Sequence, residues 1–183
     1  MRIISGTFKG KRIFPPKNMT ARPTTDFAKE SLFNLLANMI DFEETEALDL
    51  FAGTGSIGFE LASRGCRNVI SVEKNHHHSL FIQKTIDELK IDAMSVVKAD
   101  VFKFVLRIHK QFDLIFADPP YDLKELAQVP DIIFSNNLLK PESLLVLEHS
   151  ANTNFENHPC FLKHRNYGSV NFSFFENKDS SDF

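Results

Sequence analysis

The chain has 183 residues, 43% of them hydrophobic and 25% charged, which is material for one packed domain with at most a short appendage. Its longest apolar stretches run four to six residues, as at Leu144–Leu147, far short of the ~20 that a membrane-spanning helix needs. The net charge of −3 hides an asymmetry: residues 1–25 carry Arg2, Lys9, Lys11, Arg12, Lys17 and Arg22 with no acid, a sum of +6, which leaves −9 on the other 158 residues. A basic arm on an acidic body suits a polyanion held at one end. No apolar export segment follows Met1, and Cys66 and Cys160 lack paired or metal-type spacing. Reduced thiols and a cytoplasmic location are therefore expected.

Residues 1–23 form a candidate N-terminal basic arm, extended or hairpin-like, with turn signals at Gly6, Gly10, Pro15 and Pro16. Pro23 turns Arg22 away from helical geometry, and Thr24 or Thr25 can cap the helix that follows. Ala28, Leu32, Leu35, Leu36 and Met39 then share one helical face. From residue 46 strand and helix alternate. Strands are predicted at Glu46–Phe51, Asn68–Glu73, Met94–Ala99, Phe112–Ala117 and Ser143–Glu148, with helices near 56–64, 76–90, 101–109 and 124–138. Strands this continuously apolar belong to a parallel sheet covered on both faces, and the alternation argues for an open, doubly wound α/β fold. Cys160–His164 and Ser169–Phe175 lack a long helix between them and read as a closing antiparallel hairpin. The main domain is expected over 24–177, with a disordered tail over 178–183.

The first strand runs into Asp49-Leu50-Phe51-Ala52-Gly53-Thr54-Gly55-Ser56-Ile57-Gly58, a G-x-G-x-x-G between strand and helix. Such glycines let a ligand approach the backbone closely. Glu73 stands 20 residues beyond Gly53, at the end of the second strand, where a carboxylate can hold both hydroxyls of a ribose. Asp49 separates two ligand classes. A carboxylate just before the loop repels a pyrophosphate but tolerates a sulfonium and an ammonium, so S-adenosylmethionine is favoured over a dinucleotide. Asp100, after the third strand, can accept the adenine amino group beside the Val101 amide, and it can equally cap the next helix. The loop residues Phe51, Ala52, Gly53, Thr54 and Gly55, with Lys74 beside Glu73 and Asp118 at the end of the fourth strand, complete the candidate cofactor-binding set.

The fourth strand ends in Asp118-Pro119-Pro120-Tyr121. In an open parallel sheet this lies on the same edge as the glycine loop. An exocyclic amine on a base is a poor nucleophile, because its lone pair is delocalised into the ring. Asp118 offers a carboxylate to one amine hydrogen, Pro119 a carbonyl to the other, and Pro120 restricts that carbonyl's direction. Tyr121 offers a face on which a flipped base can stack. These four are the candidate catalytic residues. His76-His77-His78 resembles a metal cluster, but consecutive helical residues point about 100° apart and cannot close on one ion. No metal is expected.

Beyond these motifs, Met1-Arg2-Ile3-Ile4-Ser5-Gly6 with Lys9-Gly10-Lys11-Arg12, Arg22-Pro23-Thr24-Thr25-Asp26, Glu30–Asn34, Leu48–Gly55, Val72-Glu73-Lys74, Glu148-His149-Ser150 and Tyr167-Gly168 occur in order. Over residues 2–176 the chain resembles the bacterial RsmD family. The resemblance implies a class I S-adenosylmethionine methyltransferase fold, a doubly wound, seven-strand, mostly parallel sheet with a C-terminal antiparallel hairpin. It implies methylation of a guanine N2 in 16S rRNA, within a partly or fully assembled small ribosomal subunit, with S-adenosylhomocysteine as product. It puts Glu73 at the ribose, Asp100 at the adenine, residues 118–121 at the target base and Arg22–Thr24 near the active site. Arg2, Lys9, Lys11, Arg12, Arg22 and Thr24 become candidate RNA contacts. Two departures stand out: Ser5 replaces a commoner glycine, and Phe27-Ala28-Lys29 stands where the family more often has basic residues. A monomer without a separate target-recognition domain is expected. The alternatives are a DNA or protein-amide methyltransferase, or an inactive RNA-binding assembly factor.

Overall fold

The computed structural model describes residues 1–16, 19 and 25–178. The expectations for Arg22, Thr24 and the tail after Lys178 concern residues outside that set. Among the described residues, seven strands form one sheet in the order β3-β2-β1-β4-β5-β7-β6: β1 (Glu46–Leu50), β2 (Asn68–Glu73), β3 (Met94–Lys98), β4 (Phe112–Ala117), β5 (Leu139–His149), β6 (Phe161–Tyr167) and β7 (Val170–Glu176). The first five are parallel. Strand β7 runs antiparallel to both β5 and β6. This is the doubly wound sheet with a closing hairpin that the alternation implies.

Strand parity sorts the core into two halves. Ala47, Leu114, Phe116, Val146 and Phe172 pack with α1 (Asp26–Leu36), α2 (Ser56–Ser63) and α3 (His76–Leu89). Leu48, Ile115, Ala117, Leu145 and Phe175 pack with α4 (Val101–Val105) and α5 (Val129–Ser135) on the opposite face. Asp49, Glu73 and Glu148 keep the parity of Ala47, Val69 and Val146. All three therefore leave the sheet on the α1–α2–α3 side.

Three elements depart furthest from expectation, two of them because of prolines, while β6 runs on to Tyr167 rather than His164. The helix expected over 124–138 is α-helical only from Val129, with Pro130 in its first turn, since proline has no N–H to donate deeper in a helix. A short 3-10 turn, Leu126–Gln128, precedes it. Strand β5 begins at Leu139 rather than Ser143. Its register with β4 jumps from Phe112↔Leu139 to Leu114↔Leu144, and Pro141 and Glu142, the latter at φ 60°, form the bulge. The helix expected over 101–109 is the short α4.

The N-terminal hairpin is docked on α2. Arg2 and Arg12 pair across it, and Ile3 and Ile13 enter the α1–α2–α3 core. The anchor is Glu60, 0% exposed. Its carboxylate accepts the Ile4 amide at 2.8 Å and the Ser5 amide at 3.0 Å, and pairs with Arg64 Nε at 2.8 Å. Gly6 lies so close to α2 that a Cβ there would meet the Ser63 carbonyl oxygen at 1.7 Å. Lys29, 1% exposed, donates to the Arg2 carbonyl at 2.7 Å and to Ser56 Oγ at 3.1 Å. Burial lowers its pKa, against the opposing pull of Glu60. Lys29 is thus a bolt between hairpin and glycine loop, and it is withdrawn from any surface contact.

Candidate active site

At the carboxyl edge of the sheet lies a cavity of about 890 Å³, within the range of roughly 300–1,000 Å³ usual for small-molecule sites. It sits at the switch point of the topology, where β1 has β2 on one side and β4 on the other. Phe51, Ala52, Gly53 and Thr54 form one wall, with Asp49 behind them. Glu73 and Lys74 follow from the end of β2, Asp100 and Val101 from the start of α4, and Asp118–Tyr121 from the end of β4. Gly55 is set back: it caps α2 and donates to the Ala52 carbonyl at 2.7 Å. Of the sequence-predicted basic contacts, Lys11 and Arg12 line a separate groove.

Local geometry explains these positions. Phe51 holds φ 60°, a conformation that costs a non-glycine residue of order 1 kcal/mol or more and that persists only where the surroundings impose it. Glu73 ties loop to strand end, accepting the Gly53 amide at 2.7 Å through one oxygen and the Asn75 amide at 2.6 Å through the other. Asp49 is 1% exposed and accepts both the Gly58 amide, at 3.1 Å, and Ser71 Oγ, at 3.0 Å. Gly58, the third glycine of the motif, is required by this contact: a Cβ would stand 2.4 Å from Ser71 Oγ. Burial, with the charge of Glu73 adding to it, raises the Asp49 pKa to about 7. Asp100 caps α4 through the Lys103 amide at 3.3 Å and pairs with Lys74 at 3.0 Å. The Lys74 hydrogen bond holds the Asp100 carboxyl below its ordinary value.

The tetrapeptide is fixed at both ends. The Asp118 amide donates to the Leu50 carbonyl at 3.3 Å, joining β4 to β1, and the Leu123 amide donates to the Pro120 carbonyl at 2.9 Å. The Tyr121 hydroxyl donates to Glu148 Oε1 at 3.0 Å. Glu148 also lines the cavity, as do Phe102, Phe116 and His78, and none of the four belongs to the site expected from sequence. Glu148 had a usable signal, because it ends the strand beside β4. Phe102 packs edge-on against Phe51, centroids 6.1 Å apart, a contact across 51 residues that no local pattern announces. His149, by contrast, is turned under β7, between the Ser150 carbonyl and Ser173 Oγ, both at 2.8 Å.

Arg2, Lys9, Lys11 and Arg12 are exposed on the hairpin. The groove between the hairpin and α3, lined by Lys11 and Arg12, adjoins the central cavity, with which it shares Asn75 and His78. Among the described residues no helix is long and apolar enough to cross a membrane.

A family model described as "Conserved hypothetical protein 95" matches residues 1–176. The chain belongs to that family, the RsmD-type methyltransferases. A Haemophilus influenzae protein named Ribosomal RNA small subunit methyltransferase D is 32% identical, over 97% of this chain and 94% of its own length. The Escherichia coli protein of the same name is 31% identical, over 81% and 74%. The solved structure of a putative methyltransferase from Escherichia coli superposes with a TM-score of 0.86 at 26% identity, covering 97% of this chain and 98% of that one. An RNA methyltransferase from Salinibacter ruber, solved with S-adenosyl-L-homocysteine, shares the fold at a TM-score of 0.68 and 14% identity, over 87% and 95%.

Proposed function

We propose that the protein transfers a methyl group from S-adenosylmethionine to the N2 amine of a guanine in small-subunit ribosomal RNA. The observation that carries this reading is a shared cavity: Asp118–Tyr121 line it together with the glycine loop, Glu73 and Asp100. The named relatives from Haemophilus influenzae and Escherichia coli support the choice of RNA.

The residues fit the cofactor. Glu73 would hold the ribose hydroxyls. Asp100 and the Val101 amide would take the adenine edge, with Phe51 and Phe102 beside the ring. The Phe51–Thr54 loop, with Lys74 at its rim, would line the remainder, and the buried Asp49 favours a cation over a phosphate there. When bound, S-adenosylmethionine supplies an electrophilic methyl on a sulfonium and leaves as S-adenosylhomocysteine. The chain's task is to present the nucleophile. Asp118 and the Pro119 carbonyl accept the two amine hydrogens, and the Tyr121 ring stacks on the base. Alignment of this kind is worth roughly 7–11 kcal/mol. The Asp118 carboxylate also stabilises the positive charge that grows on nitrogen and accepts the released proton, a contribution of about 3–4 kcal/mol. The exposed Lys11 and Arg12, in the groove that adjoins the cavity, would hold RNA phosphates, with Arg2 and Lys9 elsewhere on the same hairpin.

Mass spectrometry of rRNA nucleosides tests the reading. Small-subunit RNA from cells lacking the protein should be missing one N2-methylguanine, and the purified enzyme should restore it. Unchanged nucleoside content would overturn the proposal.

A further inference from the structure

The contact between Glu148 and Tyr121 carries an inference about base choice, which rests on the guanine reading above. Glu148 is 4% exposed, yet it lines the same cavity as the tetrapeptide. Ala117 is in register with Leu147, so Asp118 and Glu148 leave the ends of neighbouring parallel strands side by side. The Tyr121 hydroxyl, 3.0 Å from Glu148 Oε1, sets the orientation of the Glu148 carboxylate from within the tetrapeptide. The ring expected to stack on the target base therefore also aims this carboxylate.

A carboxylate at the edge of a stacking platform accepts only. Guanine presents two neighbouring donors on its Watson–Crick edge, N1–H and N2–H. Adenine and cytosine each present one amine donor next to a ring-nitrogen acceptor, whose lone pair a carboxylate repels. With Asp118 and the Pro119 carbonyl on the amine hydrogens, an acceptor beside Asp118 lies where the ring N1–H comes. We propose that Glu148, held by Tyr121, is the specificity-determining residue that reads guanine through its N1–H. An enzyme that methylates an adenine or cytosine amine from the same clamp would need a donor or a neutral group at this position.

The test uses the full-length enzyme and small-subunit particles from cells lacking it. The wild type first identifies the methylated guanine. Particles are then reconstituted with 2-aminopurine at that nucleotide, which keeps the N2 amine but replaces N1–H by an acceptor. The wild type should prefer guanine by about 10²-fold in kcat/KM, the scale of one hydrogen bond to a charged group. Glu148→Gln can donate its amide N–H to the acceptor N1. It should lose about 10–100-fold on guanine and bring the preference to within about 3-fold of unity, with cofactor affinity unchanged. Tyr121→Phe keeps the stacking ring and removes the tether, and should narrow the preference by about 3–10-fold. A Glu148→Gln enzyme that keeps the wild-type preference, or loses both substrates equally, would overturn this proposal and leave the guanine reading intact. A wild-type methyl on adenine or cytosine would overturn both.

Discussion

The two edges of the sheet use the same residue type in opposite ways. At the amino edge, Glu46 and Asp113 are neutralised in place. Lys110 lies 2.6 Å from Glu46, and Lys140 bridges Glu46 at 3.4 Å and Asp113 at 2.8 Å. Asp113 also accepts the Glu46 amide at 2.9 Å. The Lys110 hydrogen bond lowers the pKa of Glu46, and the Asp113 hydrogen bond raises that of Lys140. The carboxyl edge is left unbalanced. Six acidic residues, Asp49, Glu73, Asp100, Asp118, Asp122 and Glu148, line the cavity with Lys74 as the one Lys or Arg among the described lining residues. Carboxylates matched by lysines hold strands together. Carboxylates held by backbone amides and hydroxyls, with negative charge in excess, suit the cation and the amine hydrogens of the proposed reaction.

The comparison is broken most severely by removing an acceptor at the carboxyl edge. Asp118→Ala should lower kcat for methyl transfer about 10²–10³-fold. Calorimetry should find the affinity for S-adenosylmethionine within about 3-fold of wild type, since losing one acceptor for the amine leaves the cofactor contacts in place. Glu73→Gln acts on the other half of the site. It keeps the size of the side chain but removes the charge that holds the Gly53 and Asn75 amides and would hold the ribose. Cofactor affinity should fall about 10–100-fold, the scale of losing hydrogen bonds to a charged group.

These expectations could be placed largely because the site's parts are local in sequence. The glycine loop, Glu73, Asp100 and the tetrapeptide each follow a strand that is apolar throughout, and strand ends in a parallel sheet share an edge. Predicted and observed limits coincide for β2 and β4. What sequence could not reach depends on distant partners. Nothing in the sequence around Lys29 announces its burial, and only the fold reveals the Arg2 carbonyl, Ser56 and Glu60 around it. The pairing of Tyr121 with Glu148 spans 27 residues. The basic arm was legible as charge, but its docking depends on Ile3, Ile13 and the Glu60 carboxylate.

A smaller and more diagnostic effect comes from pH. Asp49 titrates near 7 in the folded protein, against an ordinary value of 3.8. Its folded-state pKa is raised, so its contribution to stability is fully present below about pH 4 and is lost as the pH rises through 7. Asp49→Asn should therefore raise the Tm of the ligand-free protein at pH 8 and leave it unchanged at pH 4. Cofactor binding runs the other way, because a cation favours the ionised carboxylate. The Kd of the wild type for S-adenosylmethionine should be flat above about pH 8 and rise below pH 7, by up to about tenfold per unit. In Asp49→Asn the Kd should be weaker at pH 8 and independent of pH. A wild-type Kd independent of pH from 5 to 8 would place the cation away from Asp49.

The smallest effect is expected at the amino edge, and it tests whether the two edges are separate. Lys140 is about one-third exposed, so water and salt screen its pairs. Such pairs are worth about 0–1 kcal/mol, which in a chain of this size shifts Tm by no more than about 2–4 °C. Lys140→Ala leaves Glu46 with Lys110 and Asp113 with the Glu46 amide, so neither carboxylate is stranded. Tm should fall by no more than that amount, the fall should shrink at high salt, and kcat/KM should be unchanged. A loss of methyl transfer without a loss of stability would mean that charge at the amino edge is felt along β1 and β4, and that the acidic cavity owes part of its field to the opposite end of the sheet.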